Sequence, residues 1–178
     1  TNAGTLTRGV LASSVSSTIS YTGGNQGRYG GQEINSSGVL GLVAKLTAGN
    51  FLNGNGNLVF SITGTPTSAG TAIFALSVGG QTCSFSRIVN QPAGVVATLS
   101  CGSAQNTGYL TAAKASTSSS SIPYTGGNGG TFSSQSIAST GITGLTAKLT
   151  SGLLLEGNGS LEYLISGTPS GVGTANFA

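Results

Sequence analysis

Short runs in which apolar residues occupy every second position dominate the chain and predict β-strands. Leu58, Phe60 and Ile62 alternate in this way, which places three large apolar side chains on one face of a strand. Helical spacing is almost absent. The pattern predicts strands at residues 9–17, 18–21, 27–34, 42–46, 58–64, 71–78 and 82–89. The expected core residues are Leu42, Leu46, Leu58, Phe60, Ile62 and Phe74.

Segments rich in glycine and asparagine separate these strands. "NGNGN" at 53–57 and "EGNGS" at 156–160 predict hairpin turns, because Asn and Gly tolerate positive φ angles. "GTP" at 64–66 predicts a turn between neighbouring strands. About seven strands in roughly 100 residues favour an all-β fold of immunoglobulin-like sandwiches. A β-solenoid is the alternative, but its coils of roughly 20–30 residues would leave a shorter period than any the chain shows.

The chain contains the same unit twice. Residues 21–75 align without a gap with residues 124–178 at an offset of 103, and 31 of the 55 aligned positions are identical. Self-similarity at a fixed period is the signature of tandem repeats. We expect two domains, 1–92 and 93–178, joined by a short linker around Asn90–Val95. Compared with a full repeat, the first domain lacks its first strand and the second its last, so we expect a window of a longer array.

Composition narrows the class of protein further. The chain holds 31 Gly, 50 Ser and Thr taken together, and only 5% charged residues, which is unlike the highly charged composition of disordered chains. The net charge of +3 comes from six scattered bases, which form no patch for a nucleic acid. No run approaches the roughly 18 apolar residues of a membrane-spanning helix.

The residue types exclude most catalytic and metal sites. The chain contains no His and no Asp, so it cannot build a Ser-His-Asp triad, a Cys-His pair or an aspartic dyad. Its acids are Glu33, Glu156 and Glu162, too few for calcium, which takes about six to eight oxygen ligands. Two Cys without His make no zinc site. We therefore predict no enzymatic activity, no cofactor and no metal.

The two cysteines, Cys83 and Cys101, indicate an oxidising and therefore extracellular setting. In a continuous array each repeat would own one cysteine from "QTC" and one from "CGSA". Pairing within each repeat is favoured, with the partners of Cys83 and Cys101 in neighbouring sequence. The alternative joins Cys83 to Cys101, and the chain must then fold back at Pro92–Gly94 to bring the two Cα atoms within about 7 Å.

The segment "GNLVFSITGTPTSAGTAIFALSVGG" resembles the immunoglobulin-like repeats of bacterial surface proteins, which combine an apolar strand, a "GTP" turn and a final aromatic strand. With "YTGGN", "CGSA" and "QTC", the wider unit resembles tandem repeats of very long surface proteins and adhesins of Bacteroidetes-type bacteria. The resemblance covers nearly the whole chain. It implies the sandwich fold and a location on the bacterial cell surface, but it says little about a ligand.

These observations lead to a structural hypothesis: a segment of an extracellular tandem-repeat fibre, stalk or adhesin shaft. Its expected partners are neighbouring repeats of the same chain and identical chains in a filament. The alternatives are a carbohydrate- or surface-binding module and a spacer array of a large secreted enzyme. The binding alternative, with surface glycans as partners, points to aromatic residues at matching positions in the two copies: Tyr21, Tyr29, Tyr124 and Phe132.

Lysines also occupy matching positions, Lys45 and Lys148, in the two "AKLT" segments. An isopeptide bond from such a lysine would need a buried acid beside it, and the second copy has Ser136 where the first has Glu33. We therefore expect exposed strand lysines that discourage edge-to-edge pairing.

Overall fold

The computed structural model describes all residues from 1 to 178, and β-strands make up most of it, so the all-β prediction is confirmed. The only helix is a three-residue 3-10 turn at Cys101–Ser103. Contacts divide the chain into unit 1, Thr1–Gln91, and unit 2, Pro92–Ala178. This boundary lies one residue from the predicted division, and the immunoglobulin-like topology stays a prediction.

Unit 1 is built from two sheets and one short strand pair. Its strands are β1 (Asn2–Ala3), β2 (Leu6–Thr7), β3 (Val15–Asn25), β4 (Arg28–Tyr29), β5 (Gln32–Asn35), β6 (Ser37–Gly38), β7 (Leu42–Leu46), β8 (Gly49–Asn50), β9 (Asn53–Gly64), β10 (Gly70–Val78) and β11 (Gln81–Asn90). The larger sheet has the order β1-β3-β9-β7-β5, and the smaller sheet has the order β2-β11-β10-β6. Strands β4 and β8 pair with each other.

The core of unit 1 combines apolar side chains from both sheets. Phe60 of β9 and Phe74 of β10 are fully buried in one cluster, whereas Val59, between two core residues, is 56% exposed. The alternation therefore predicts correctly which face of β9 turns inward. All six expected core residues are buried: Leu42, Leu46, Leu58, Phe60, Ile62 and Phe74.

Unit 2 repeats the larger sheet and only part of the smaller one. Its strands are β12 (Thr98–Leu99), β13 (Gln105–Thr107), β14 (Ser116–Asn128), β15 (Thr131–Phe132), β16 (Gln135–Ala138), β17 (Thr140–Gly141), β18 (Leu145–Leu149), β19 (Gly152–Leu153), β20 (Glu156–Gly167) and β21 (Ala175–Asn176). The large sheet has the order β12-β14-β20-β18-β16, with β13 also on β14. Two short strand pairs, β15–β19 and β17–β21, complete unit 2.

The registers of the two units agree residue for residue over the repeated part. Val15 pairs with Ile62 in unit 1, and Ser118 pairs with Ile165 in unit 2, both at the offset of 103. Strand β11 has no counterpart in unit 2, and β12 with the 3-10 turn has none in unit 1. The smaller sheet of unit 1 is thus represented in unit 2 only by β17 and β21.

The hairpin turns predicted at "NGNGN" and "EGNGS" are wrong. Residues 53–57 form the first part of β9, and residues 156–160 form the first part of β20. Each segment pairs with the strand that carries the preceding "YTGGN" across a β-bulge. The glycines serve close packing here, because a Cβ atom on Gly56 would lie 2.2 Å from the Tyr21 hydroxyl. Local turn propensity is overridden by this contact.

The strand predicted at residues 9–17 begins only at Val15. Ser14 has a φ angle of 55°, a left-handed conformation that interrupts an extended strand. Val10 and Leu11 are 54% and 69% exposed. Their apolar character therefore does not reflect a buried strand.

Candidate functional site

The acidic side chains form no metal-binding cluster. No three residues among His, Cys, Asp and Glu are close enough to hold a metal ion. Glu33 is in an ion pair with Lys45, 2.8 Å from its amine. Glu162 accepts hydrogen bonds from the hydroxyls of Ser121 and Ser160. These carboxylates therefore make local surface contacts.

The Lys45–Glu33 pair lies on the solvent side of the larger sheet, where the two side chains are 58% and 64% exposed. Lys148 faces Ser136 at the matching register position of unit 2. The buried acid that an isopeptide bond requires is thus lacking beside Lys45, because Glu33 is exposed.

The free energy of unfolding should stay constant between about pH 5 and pH 9. The hydrogen bond from Lys45, and then its charge, lower the pKa of Glu33 from 4.5, so the stability this adds is lost only as the pH falls through the lowered pKa. The Glu33 hydrogen bond and charge raise the pKa of Lys45 from 10.5, so that contribution disappears only at higher pH. Urea unfolding at several pH values tests this. A change of stability near neutral pH would contradict it.

Both cysteines are free and exposed, so no disulfide is formed in this structure. The alternative that joins Cys83 to Cys101 is not observed. Cys83 lies on β11 of unit 1, and Cys101 begins the 3-10 turn of unit 2. The favoured pairing within each repeat would need other cysteines than these two, and it stays a prediction.

The tyrosines of the two "YTGGN" segments pack against glycines. Tyr124 is only 2% exposed, and its hydroxyl oxygen accepts a hydrogen bond of 2.7 Å from the Leu155 N–H. Tyr21 accepts the equivalent bond of 2.6 Å from the Leu52 N–H. A Cβ atom on Gly159 would approach the Tyr124 hydroxyl to 2.3 Å. Each ring therefore spans the bulge and fixes the backbone just before β9 or β20.

The second pair of matching aromatic residues, Tyr29 and Phe132, also packs against glycines. Tyr29 lies over Gly49 and Phe132 lies over Gly152, each on the neighbouring short strand. Phe51 adds ring contacts in unit 1, with centroids 4.9 Å from Tyr21 and 5.0 Å from Tyr29. Packing explains why aromatic residues recur at these positions, and glycan contact by Tyr21, Tyr29, Tyr124 or Phe132 stays a prediction.

The most unusual polar group of unit 1 is Arg87, which is only 5% exposed. Its guanidinium faces backbone oxygens and has no acid as a partner. The Nη1 atom donates to Ala3 O at 3.0 Å and Ser16 O at 2.6 Å, and the Nη2 atom donates to Gly4 O at 2.6 Å. The Ser17 hydroxyl lies 3.4 Å from Nη1. We call these four acceptor residues the arginine cage.

The cage joins the last strand of unit 1 to the beginning of its chain. Ala3 and Gly4 belong to the N-terminal segment, Ser16 and Ser17 lie on β3, and Arg87 lies on β11. Burial lowers the pKa of the guanidinium from its ordinary value. Hydrogen bonds to the charged group offset the cost of burying it.

The sequence analysis assigned no role to Arg87. The signal was the shared face of Phe85, Arg87 and Val89, which carries two apolar residues that flank the arginine. The structure turns this face inward and leaves Ile88 63% exposed.

The single 3-10 turn is far too short to cross a bilayer, and no helix of the structure meets the length and hydropathy of a membrane span. Comparisons with models of protein families, with curated proteins and with solved structures gave no match for this chain.

Proposed function

We propose that the chain is a structural segment of an extracellular tandem-repeat fibre, stalk or adhesin shaft, of the kind found on bacterial surfaces. The observation that carries the proposal is the parallel pairing of β2 with β11 in unit 1. Leu6 lies opposite Val89 and Thr7 opposite Asn90, and the Arg8 N–H donates to Asn90 O at 2.9 Å. A strand near the beginning of the unit thus lies beside its last strand.

This pairing suits a protein that transmits tension. Pulling at the two ends of unit 1 draws β2 and β11 along their length in opposite directions. The hydrogen bonds between β2 and β11 run across the direction of pulling. These bonds are therefore loaded together in shear and do not break one after another. Arg87 adds bonds from β11 to Ala3 and Gly4, which resist the same displacement.

The repeat and the resemblance to bacterial surface repeats support the same function. Unit 2 keeps the large sheet in the register of unit 1, as expected for modules that are copied to gain length. No contact specifically favours the carbohydrate-binding or spacer alternatives, because the matching aromatic rings are accounted for by their glycines.

Single-molecule stretching of the whole chain tests the mechanical role. We expect unit 1 to unfold in one step that releases about 300 Å of chain, at a force that falls when Arg87→Met removes the bonds from β11 to Ala3 and Gly4. A short glycine-serine insertion at Gly79 lengthens the step of unit 1 and so identifies it. The proposal is contradicted if the identified step occurs at the same force in the Arg87→Met variant as in the original protein.

A further inference from the structure

The first six residues of unit 2, 92–97, lie on its loops before β12 begins, and we call them the entry strap. The sequence predicts a linker around Asn90–Val95, but the strap is fastened to unit 2. The Gly94 N–H donates to Thr131 O at 2.7 Å, and the Thr131 N–H donates to Pro92 O at 2.9 Å. These bonds flank a parallel bridge between Ala93 and Thr131.

The second half of the strap is fastened to the end of β14. The Asn128 N–H donates to Val95 O at 3.2 Å, and the Ala97 N–H donates to Thr125 O at 2.9 Å. Backbone hydrogen bonds therefore hold the strap along its length to residues 125–131 of the same unit.

The Asn128 side chain adds bonds to two residues of the strap. Its Oδ1 atom accepts a hydrogen bond of 3.0 Å from the Val95 N–H, and its Nδ2 atom donates to Ala93 O at 2.9 Å. The same Oδ1 atom accepts a bond of 3.0 Å from the Gly130 N–H. One side chain thus joins the strap to the turn that follows β14.

Two glycines allow the backbones to approach each other closely. A Cβ atom on Gly94 would lie 2.8 Å from Thr131 O and 3.0 Å from the Leu154 Cδ1 atom. A Cβ atom on Gly130 would lie 2.5 Å from Ala93 O. Only glycine avoids such contacts, so the strap and the loop beneath it are matched in shape.

Hydrogen bonds hold the strap in place with little help from apolar burial. None of its residues is buried, and Val95 is 61% exposed. The large sheet of unit 2, by contrast, carries buried apolar residues such as Ala147 and Ile165. Segments with exposed hydrogen bonds and little apolar burial open at a lower free energy than the core. The strap should therefore open while the sheet stays folded.

The position of the strap along the chain gives this opening a mechanical consequence. The chain enters unit 2 at Pro92, so tension carried by the preceding residues reaches the strap before it reaches β14. The most weakly held part of unit 2 is thus the first part to be loaded.

We propose that the entry strap is a releasable segment held by Asn128, which detaches from unit 2 as one unit and docks again when the tension ends. In a shaft, release adds at most about 20 Å of chain, the length of six extended residues. This mechanical use rests on the proposed function. The separate opening of the strap does not, and it is measured without tension.

Native-state hydrogen exchange of the whole chain, followed by NMR in low concentrations of denaturant, tests the proposal. We expect the amides of Gly94, Ala97 and Thr131 to exchange through a common opening. Its free energy should be lower than that of Ile165 on the central strand β20, and it should depend less on denaturant because less surface is exposed.

Asn128→Ala should speed the exchange of the Gly94 and Thr131 amides at least about tenfold, because two hydrogen bonds to the strap are lost. Neither amide bonds to the Asn128 side chain, so both report release of the strap. Asn25→Ala is the matched control in unit 1. There the Oδ1 atom accepts a bond of 2.9 Å from the Gly27 N–H, as that of Asn128 does from Gly130, and we expect faster exchange at Gly27 alone.

Gly94→Ala tests the close approach independently of Asn128. The added Cβ atom collides with Thr131 O, so the Thr131 amide should exchange faster while Ile165 keeps its protection. Gly102→Ala is the control, because a Cβ atom at that position has no neighbour within 4 Å, and we expect no change at Thr131.

Three results would overturn the proposal. Equal opening free energies for the strap and for Ile165 would mean that the strap opens only when unit 2 unfolds. Unprotected strap amides in the original protein would mean that the strap is not docked. An effect of Asn128→Ala confined to Val95 and Gly130 would mean that Asn128 does not hold the strap. The stretching experiment with Arg87→Met tests the shaft function separately, so either proposal can fail while the other stands.

Discussion

Replacing Arg87 with alanine is expected to lower the free energy of unfolding of unit 1 by about 3 kcal/mol. The variant loses hydrogen bonds from a charged donor to Ala3, Gly4 and Ser16, and it leaves a space where the buried side chain lay. Unit 2 should keep its stability, because it has no contact of this kind to lose. Residue-resolved hydrogen exchange in denaturant measures the two units separately.

Two further variants make this prediction specific. Arg28→Ala removes the same charge from an exposed position on β4, and we expect little change. Arg87→Met keeps the packing of the stem and removes only the donors, so it should fall between Arg87→Ala and the original protein. If Arg87→Met were as stable as the original protein, the hydrogen bonds of the arginine cage would contribute nothing to stability, and this prediction would be wrong.

The interior strands of unit 1 could be predicted from sequence because burial there follows a period of two. Strand β7 has the predicted bounds of Leu42–Leu46, and Leu58, Phe60 and Ile62 turn inward as expected. This prediction requires only that one face of the strand is more apolar than the other. The two faces of β9 differ clearly in the size of their side chains.

The same reasoning failed where a distant residue decides the local structure. Asn and Gly at 53–57 have the turn propensity on which the hairpin prediction depended. They lie in a strand because the Tyr21 ring, far away in sequence, occupies the space above Gly56. No local pattern contains that contact.

The contacts of Arg87 with the arginine cage could not be predicted from the sequence for a related reason. Three of its acceptors are backbone oxygens, and backbone atoms are the same at every position of the sequence. Only the pairing of Ala3 with Ser16 on neighbouring strands brings them together.

Phe74→Ala should cost unit 1 about 4 kcal/mol, close to the full value for a buried aromatic side chain. Phe74 is completely buried and stacks on Phe85 at a centroid distance of 5.0 Å and an interplanar angle of 18°. Its removal leaves a cavity between the two sheets and ends one ring contact, which itself contributes about 1 kcal/mol.

Phe177→Ala is the matched substitution in unit 2, and we expect a smaller cost, below about 2 kcal/mol. The residue is half-buried and packs at the edge of the core cluster of unit 2. Denaturant unfolding followed by hydrogen exchange compares the two variants in the same chain. Equal losses would mean that unit 2 closes its core around Phe177 by itself. The expected difference between the two losses follows from the burial of the two rings, which is complete for Phe74 and partial for Phe177.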